Sequence, residues 1–186
     1  MKILAQTSEP LTAQAILDSL IILDPRSSKI LDLLNYIIRI QREDGGWGFD
    51  VQSDSSVYYT GLALHALKLA FLAPLHLTSY EQQKIVRARS FGLQFILAPE
   101  NCHRKGKTVY WCLQIEEEEP DPTLTLYAMW ALCEESINQY QDLIQGGVHF
   151  LRNALQEKDT WELRPVVTET STKYGAHKVV VSFTPS

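Results

Sequence analysis

Apolar residues recur along most of this chain at the three- and four-residue spacing that gathers them on one side of a helix. After the helix-start signal Ser8-Glu-Pro10, the run Leu11 to Leu23 predicts a first helix, which Asp24-Pro25 ends. Ile30, Leu33, Leu34, Ile37 and Ile38 make the buried stripe of a second helix, with Lys29, Asp32 and Arg39 on its wet side and Ser27 or Ser28 as its cap. Ser53-Asp-Ser-Ser56 offers cap residues to a third helix, Val57 to about Leu72. That helix is apolar nearly all round, so it is expected to be covered on more than one side. Thr78-Ser-Tyr-Glu81 has capping-box spacing and opens a fourth helix to about Leu97. Its stripe is Ile85, Ala88, Gly92, Phe95 and Ile96, while Lys84, Arg87 and Arg89 are expected in water. Residues 98–119 read as a polar, charged loop containing Val109-Tyr-Trp111. Asp121-Pro122 then places a cap residue before a proline suited to a first helical turn. A fifth helix, Thr123 to about Glu135, is apolar on all sides. A sixth, Asn138 to about Gln156, turns Tyr140, Leu143, Ile144, Gly147, Val148, Leu151 and Leu155 inward.

Two-faced helices thus alternate with apolar ones, the order expected where one layer of helices packs inside another. The pattern also repeats: Thr60-Gly-Leu-Ala-Leu-His-Ala-Leu67 aligns without gaps with Thr125-Leu-Tyr-Ala-Met-Trp-Ala-Leu132. Trp47, Trp111 and Trp161 each follow an amphipathic helix. The tail differs, because Arg164 to Thr170 and His177 to Phe183 are rich in β-branched residues around a turn at Lys173-Tyr-Gly175. A helical domain over 1–162 and a β-hairpin over 163–186 are expected. An isolated hairpin is marginal in water, so this one is expected to lie on other structure.

The densest local signal is Gln41-Arg-Glu-Asp44-Gly45-Gly46-Trp47. Paired glycines stop a helix and permit backbone angles that other residues avoid. The Trp47 ring is then placed beside the turn, where it can cover the Gln41 amide. This arrangement resembles the QW motif (Gln, a few residues, then Gly-x-Trp) of the terpenoid cyclase and prenyltransferase family, which includes squalene–hopene cyclases. Gln41, Gly45, Gly46 and Trp47 fit it without adjustment, whereas the copies at Trp111 and Trp161 lack the Gln and the paired glycines. The resemblance extends in pattern over residues 28–161. It implies an all-α fold, an α/α-toroid fragment of about three helical hairpins, here followed by a short C-terminal β-hairpin. A closed ring in this family needs more hairpins than this chain holds, and solenoid ends must be covered. Either the N-terminal helix and the C-terminal hairpin cover them, or self-association or a protein partner does, and such an association is expected.

Composition narrows the function classes. Hydrophobic residues make up 45% of the 186, charged residues 21%, and the formal net charge is −5. With no Lys/Arg cluster long enough to offset that charge, a dedicated nucleic-acid surface is not expected. The N-terminal ten residues lack the apolar core of a signal peptide, and no apolar run is long enough for a transmembrane segment. Cys102, Cys112 and Cys133 cannot all pair and read as reduced thiols of a cytoplasmic protein.

The cyclases of the resembled family protonate an alkene with the middle Asp of D-x-D-D-T. Asp121-Pro-Thr-Leu-Thr125 resembles that site but keeps only its first Asp, with Thr123 in the proton donor's place and Leu124 after it. A threonine hydroxyl is no strong acid. Asp121 has two readings, a helix cap or, in the shifted register Glu119-Pro-Asp121-Pro-Thr123, an acid. Prenyltransferases of this family hold zinc with an Asp, a Cys and a His. The candidates Cys102, His103, Cys112, Cys133 and His149 show no metal-ligand spacing, so no metal and no cofactor is expected. His65 reads as a packed histidine, and Glu116-Glu-Glu-Glu119 as a solvated loop before a helix N-terminus. Tyr58, Tyr59, Tyr127 and Trp130 are ordinary core aromatics by composition; by the resemblance they would line an apolar cavity.

The resulting expectation is a non-catalytic cyclase-like helical domain that binds a protein partner or an apolar small molecule. Two alternatives stay open. One is a small or split terpene cyclase, an isomerase-like enzyme, using Asp121. The other is a regulatory module whose tail, Val179-Val-Val-Ser-Phe183, runs into a further domain.

Overall fold

Six helices and two short antiparallel sheets make up the regular structure of the computed structural model, which describes residues 10–112, 120–157, 166–172 and 175–181. Side chains are described for residue 15 and over 17–112 and 120–154. The order is α1 (Pro10–Leu23), α2 (Lys29–Arg39), α3 (Val57–Leu72), α4 (Ser79–Leu97), β1 (Cys102–Lys105), β2 (Thr108–Trp111), α5 (Pro122–Ser136), α6 (Gln141–Glu157), β3 (Val166–Thr172) and β4 (Gly175–Val181). The fold is all-α with a C-terminal β-hairpin. It divides into two units, residues 1–95 and 96–186.

In the first unit α1 packs against α2 and α3. The stripe Ile30, Leu33, Leu34 and Ile37 of α2 is buried with Leu17, Trp47, Leu67 and Ile85 in one core. Each such side chain stabilises the unit by about 2 kcal/mol relative to exposure. Helix α3 buries nine of its 16 residues, which its all-round apolar sequence requires. Its N-cap is Ser56, whose side chain accepts from the Tyr59 N–H at 3.4 Å. The capping box of α4 is formed. Glu81 Oε2 accepts the Thr78 N–H at 2.7 Å, and Thr78 Oγ1 accepts the Glu81 N–H at 3.3 Å. The Thr78 N–H also holds the Glu81 carboxyl below its ordinary pKa.

Two expectations for this unit fail. Ser28 sits at the N-cap of α2 with helical angles, φ −61 and ψ −19, and makes no side-chain cap bond. A capping serine needs extended backbone to reach back to the next turn. Arg89 is buried, 7% exposed, instead of standing in water. Its guanidinium lies 6.0 Å from the Phe71 ring centroid, so the end of α3 covers a residue that the α4 stripe alone places outside.

In the second unit the stretch expected to be a loop contains a hairpin. β1 and β2 pair antiparallel from Cys102↔Trp111 to Lys105↔Thr108, joined by Gly106-Lys107 with Gly106 at φ +62. A two-residue hairpin turn wants such a glycine. Val109 and Trp111 alternate inward and are buried, and β2 packs on α6 and α5. Close approach is possible because Gly146 faces β2; a Cβ there would come within 2.4 Å of Val109 Cγ2.

Helix α5 buries Leu124, Thr125, Ala128, Met129, Ala131 and Leu132. Its cover is incomplete, since Leu126 is 48% exposed and Tyr127 and Trp130 are half-buried. Helix α6 starts at Gln141, three residues later than expected, and buries Gly146 and Gly147 while Val148 is exposed. The C-terminal hairpin is present, with register Val166↔Val181 through Thr172↔Gly175. Ser8, Glu9, Glu116–Glu119, Trp161, the 162/163 boundary, Lys173, Tyr174 and the side chain of Leu155 lie outside the described residues.

Candidate functional site

The two described tryptophan corners are built on the same set of hydrogen bonds. At the first, Trp47 Nε1 donates to the Ile37 carbonyl at 2.8 Å and its backbone N–H donates to Thr60 Oγ1 at 3.0 Å. The Trp47 carbonyl accepts from Ser56 N–H, and the Ser56 carbonyl accepts from Thr60 N–H, both at 2.9 Å. At the second, Trp111 Nε1 donates to the Ile96 carbonyl at 2.8 Å and its N–H donates to Thr125 Oγ1 at 3.1 Å. The Trp111 carbonyl accepts from Asp121 N–H, and the Asp121 carbonyl from Thr125 N–H, both at 3.0 Å. Both indoles are fully buried.

Each corner ties the end of one helix to the first turn of the next through a tryptophan and a threonine. Thr60 and Thr125 were not singled out by sequence reasoning, although the ungapped internal alignment begins on them. Burial of an unpaired backbone N–H is costly, so a hydroxyl acceptor at that position has a physical purpose.

What differs is the route into the corner. Before Trp47, Gln41 Nε2 donates to the carbonyls of Gly45 and Ala88, both at 2.8 Å. Asp44 Oδ1 accepts from the Gly46 N–H at 2.9 Å and from Ser55 Oγ at 2.8 Å. The Gln41 amide therefore fastens the glycine turn to α4. Before Trp111 no such glutamine exists, and the β1–β2 hairpin carries the chain instead.

Asp121 is the cap of α5. Its Oδ1 accepts from the N–H groups of Thr123 at 2.7 Å and Leu124 at 3.0 Å. Burial raises its pKa above the ordinary carboxylate value, only partly offset by the bonds from Leu124 and Thr123. For such a group folding favours the protonated form, so its contribution to stability weakens as pH rises through the folded-state pKa.

Tyr59 is buried, with its ring edge-on to Tyr58 at 5.0 Å and tilted against Phe49 at 5.8 Å. In the second unit Tyr127 and Trp130 meet edge-on at 5.9 Å.

Raised pKa values disfavour the thiolate of Cys102 and of Cys133 at neutral pH, the form that nucleophilic chemistry needs. Burial pushes Cys102 up to about 11 against the opposing charge of Arg104. Burial, then Glu134, raises Cys133, and Cys112 is buried. His65 is half-buried on α3, His149 is exposed, and His103 stacks on Tyr110 at 5.5 Å. Among the described residues no group of three His, Cys, Asp or Glu side chains is placed to hold a metal ion. Nor is any described helix long and apolar enough to cross a membrane.

Of the depressions in the first unit, one of about 610 Å³ has apolar walls from Ile30, Leu31, Leu75 and Leu77, with Arg26 and His76 at its polar side. Its volume and lining fall in the range of small-molecule sites. Tyr58 and Tyr59 do not line it. No protein-family model matches the chain, and no curated protein matches it significantly.

Proposed function

We propose that the chain is a non-catalytic helical-repeat domain of the terpenoid cyclase and prenyltransferase kind, serving to bind a protein partner or an apolar ligand. The duplicated tryptophan–threonine corner is the observation that supports it most. Repeating one bond set at Trp47 and Trp111 spends their indoles and the paired threonines on joining helices. At the position resembling the cyclase acid site, Asp121 caps a helix. For binding, the leucine-walled depression beside Pro25 and Pro74 supplies an apolar surface with a polar side.

Titration with anilinonaphthalene sulfonate tests the binding half of this reading. Saturable fluorescence enhancement is expected, weakened about tenfold or more by Leu75→Glu, because one charge in an apolar pocket costs more than 1.4 kcal/mol. Val148→Glu, on the exposed side of α6 in the second unit, should leave it unchanged. Equal binding by all three proteins, at matched thermal midpoints, would remove the pocket from the proposal.

A second reading, a terpene cyclase with Asp121 as acid, is favoured by one observation. The Asp121 carboxyl is buried, and burial favours its protonated form, the form a general acid starts from, while making it a weaker acid than a surface aspartate.

A further inference from the structure

A sheet edge unpaired among the described residues, three exposed cations and an aromatic strip coincide on the β1–β2 hairpin. Trp111 spends its backbone N–H on Thr125 and its carbonyl on Asp121, and Cys102 sends its N–H to the Ala98 carbonyl. The pair Cys102↔Trp111 is therefore a non-bonded pair of the ladder, and by alternation so is Arg104↔Val109. The N–H and carbonyl of Arg104 consequently point away from β2, and among the described residues neither has a backbone partner.

Arg104, Lys105 and Lys107 are exposed, and none of them forms an ion pair among the described residues. On the Lys105 side of the hairpin, His103 stacks on Tyr110 with an interplanar angle of 16°, and Tyr110 meets Phe150 at 5.8 Å.

We propose that β1 is a docking edge for an extended acidic peptide of a partner protein, which adds to the hairpin as a third strand. Main-chain bonds to Arg104 would supply pairing, and alternate acidic side chains would meet Lys105 and Lys107. The same cations repel a second copy of this edge, so they select an acidic strand over self-pairing. Cations beside aromatic rings also suit single-stranded nucleic acid. A long polyanion, however, would meet the repulsion of a chain of net charge −5 over its whole length. A short acidic strand need touch only the hairpin. This inference rests on the second unit alone and is independent of the apolar pocket in the first.

The test is fluorescence anisotropy of a fluorescein-labelled peptide of alternating glutamate and valine, at low ionic strength. Saturable binding is expected, weakened about tenfold by K105E/K107E with the thermal midpoint unchanged, because two exposed attractions become repulsions. A peptide N-methylated at alternate residues should bind native protein at least about tenfold more weakly, since it cannot pair with a strand edge; this arm decides the matter even if the double variant fails to fold. Absence of binding, equal affinity for the N-methylated peptide or for a folded K105E/K107E protein, or tighter binding of an oligothymidylate would each overturn the proposal.

Discussion

Replacing Trp47 with alanine should cost about 4 kcal/mol of stability, the middle of the range for loss of a large aromatic from a core. The indole is fully buried, and it fits a space left by Gly92, where a Cβ would come within 2.8 Å of Trp47 Cζ3. A cavity left there is flanked by helix backbone and collapses poorly. The Ile37 carbonyl also loses its donor at a helix end. Trp47→Phe is the milder change. It keeps one aromatic ring but removes the rest of the indole with its N–H, so a smaller cavity adds to the lost hydrogen bond and about 2 kcal/mol is expected. Urea unfolding followed by circular dichroism measures both. A loss below about 1 kcal/mol for Trp47→Ala would mean that the first corner does not hold α2 to α3.

Gly45→Ala is the second large effect, at about 3 kcal/mol. Two costs add. Gly45 has φ +89, a conformation that charges an L side chain about 1 kcal/mol. The new Cβ would also lie 2.5 Å from the Phe91 carbonyl oxygen and 2.9 Å from its carbon, a backbone obstacle that cannot rotate aside. Gly106→Ala isolates the first cost, because Gly106 has φ +62 with nothing within 4 Å of the added carbon. It should lose only about 1 kcal/mol. Thermal midpoints of the two variants give the comparison. If Gly45→Ala proves no worse than Gly106→Ala, the tight seating of the turn on α4 is wrong.

Helix boundaries were legible where cap chemistry is local. Ser56, Thr78 with Glu81, and Asp121 with Pro122 announced the starts of α3, α4 and α5 to within a residue or so, because a cap acts on N–H groups two or three positions away. The stripe of α4 was legible for the same reason, as five residues at helical spacing whose burial depends on one face.

Information held by other elements was not legible. Arg89 is covered by the end of α3, which no helical wheel of α4 can report. Ser28 looked like a cap but sits in helical backbone, and a residue's type does not set its φ and ψ. The β1–β2 hairpin had a readable signal, Gly106-Lys107 between Cys102–Lys105 and the alternating Thr108-Val-Tyr-Trp111, obscured by the polarity of its neighbours. The tryptophan corners were read for their glycines and glutamine. Their shared parts turn out to be the indole N–H, a helix-end carbonyl and a threonine hydroxyl; the tryptophan and the threonine both recur in the sequence, but the bonds between them do not show there.

Whether this domain holds an apolar molecule or transforms one is decided by incubating the purified chain, and its Asp121→Asn variant, with squalene and with farnesol. Asparagine caps a helix as well as aspartate does, so the variant should fold. Both proteins should retain the isoprenoid through gel filtration and return it chemically unchanged. Cyclic product from the native chain, lost in a folded Asp121→Asn protein, would contradict the binding role and make Asp121 an acid.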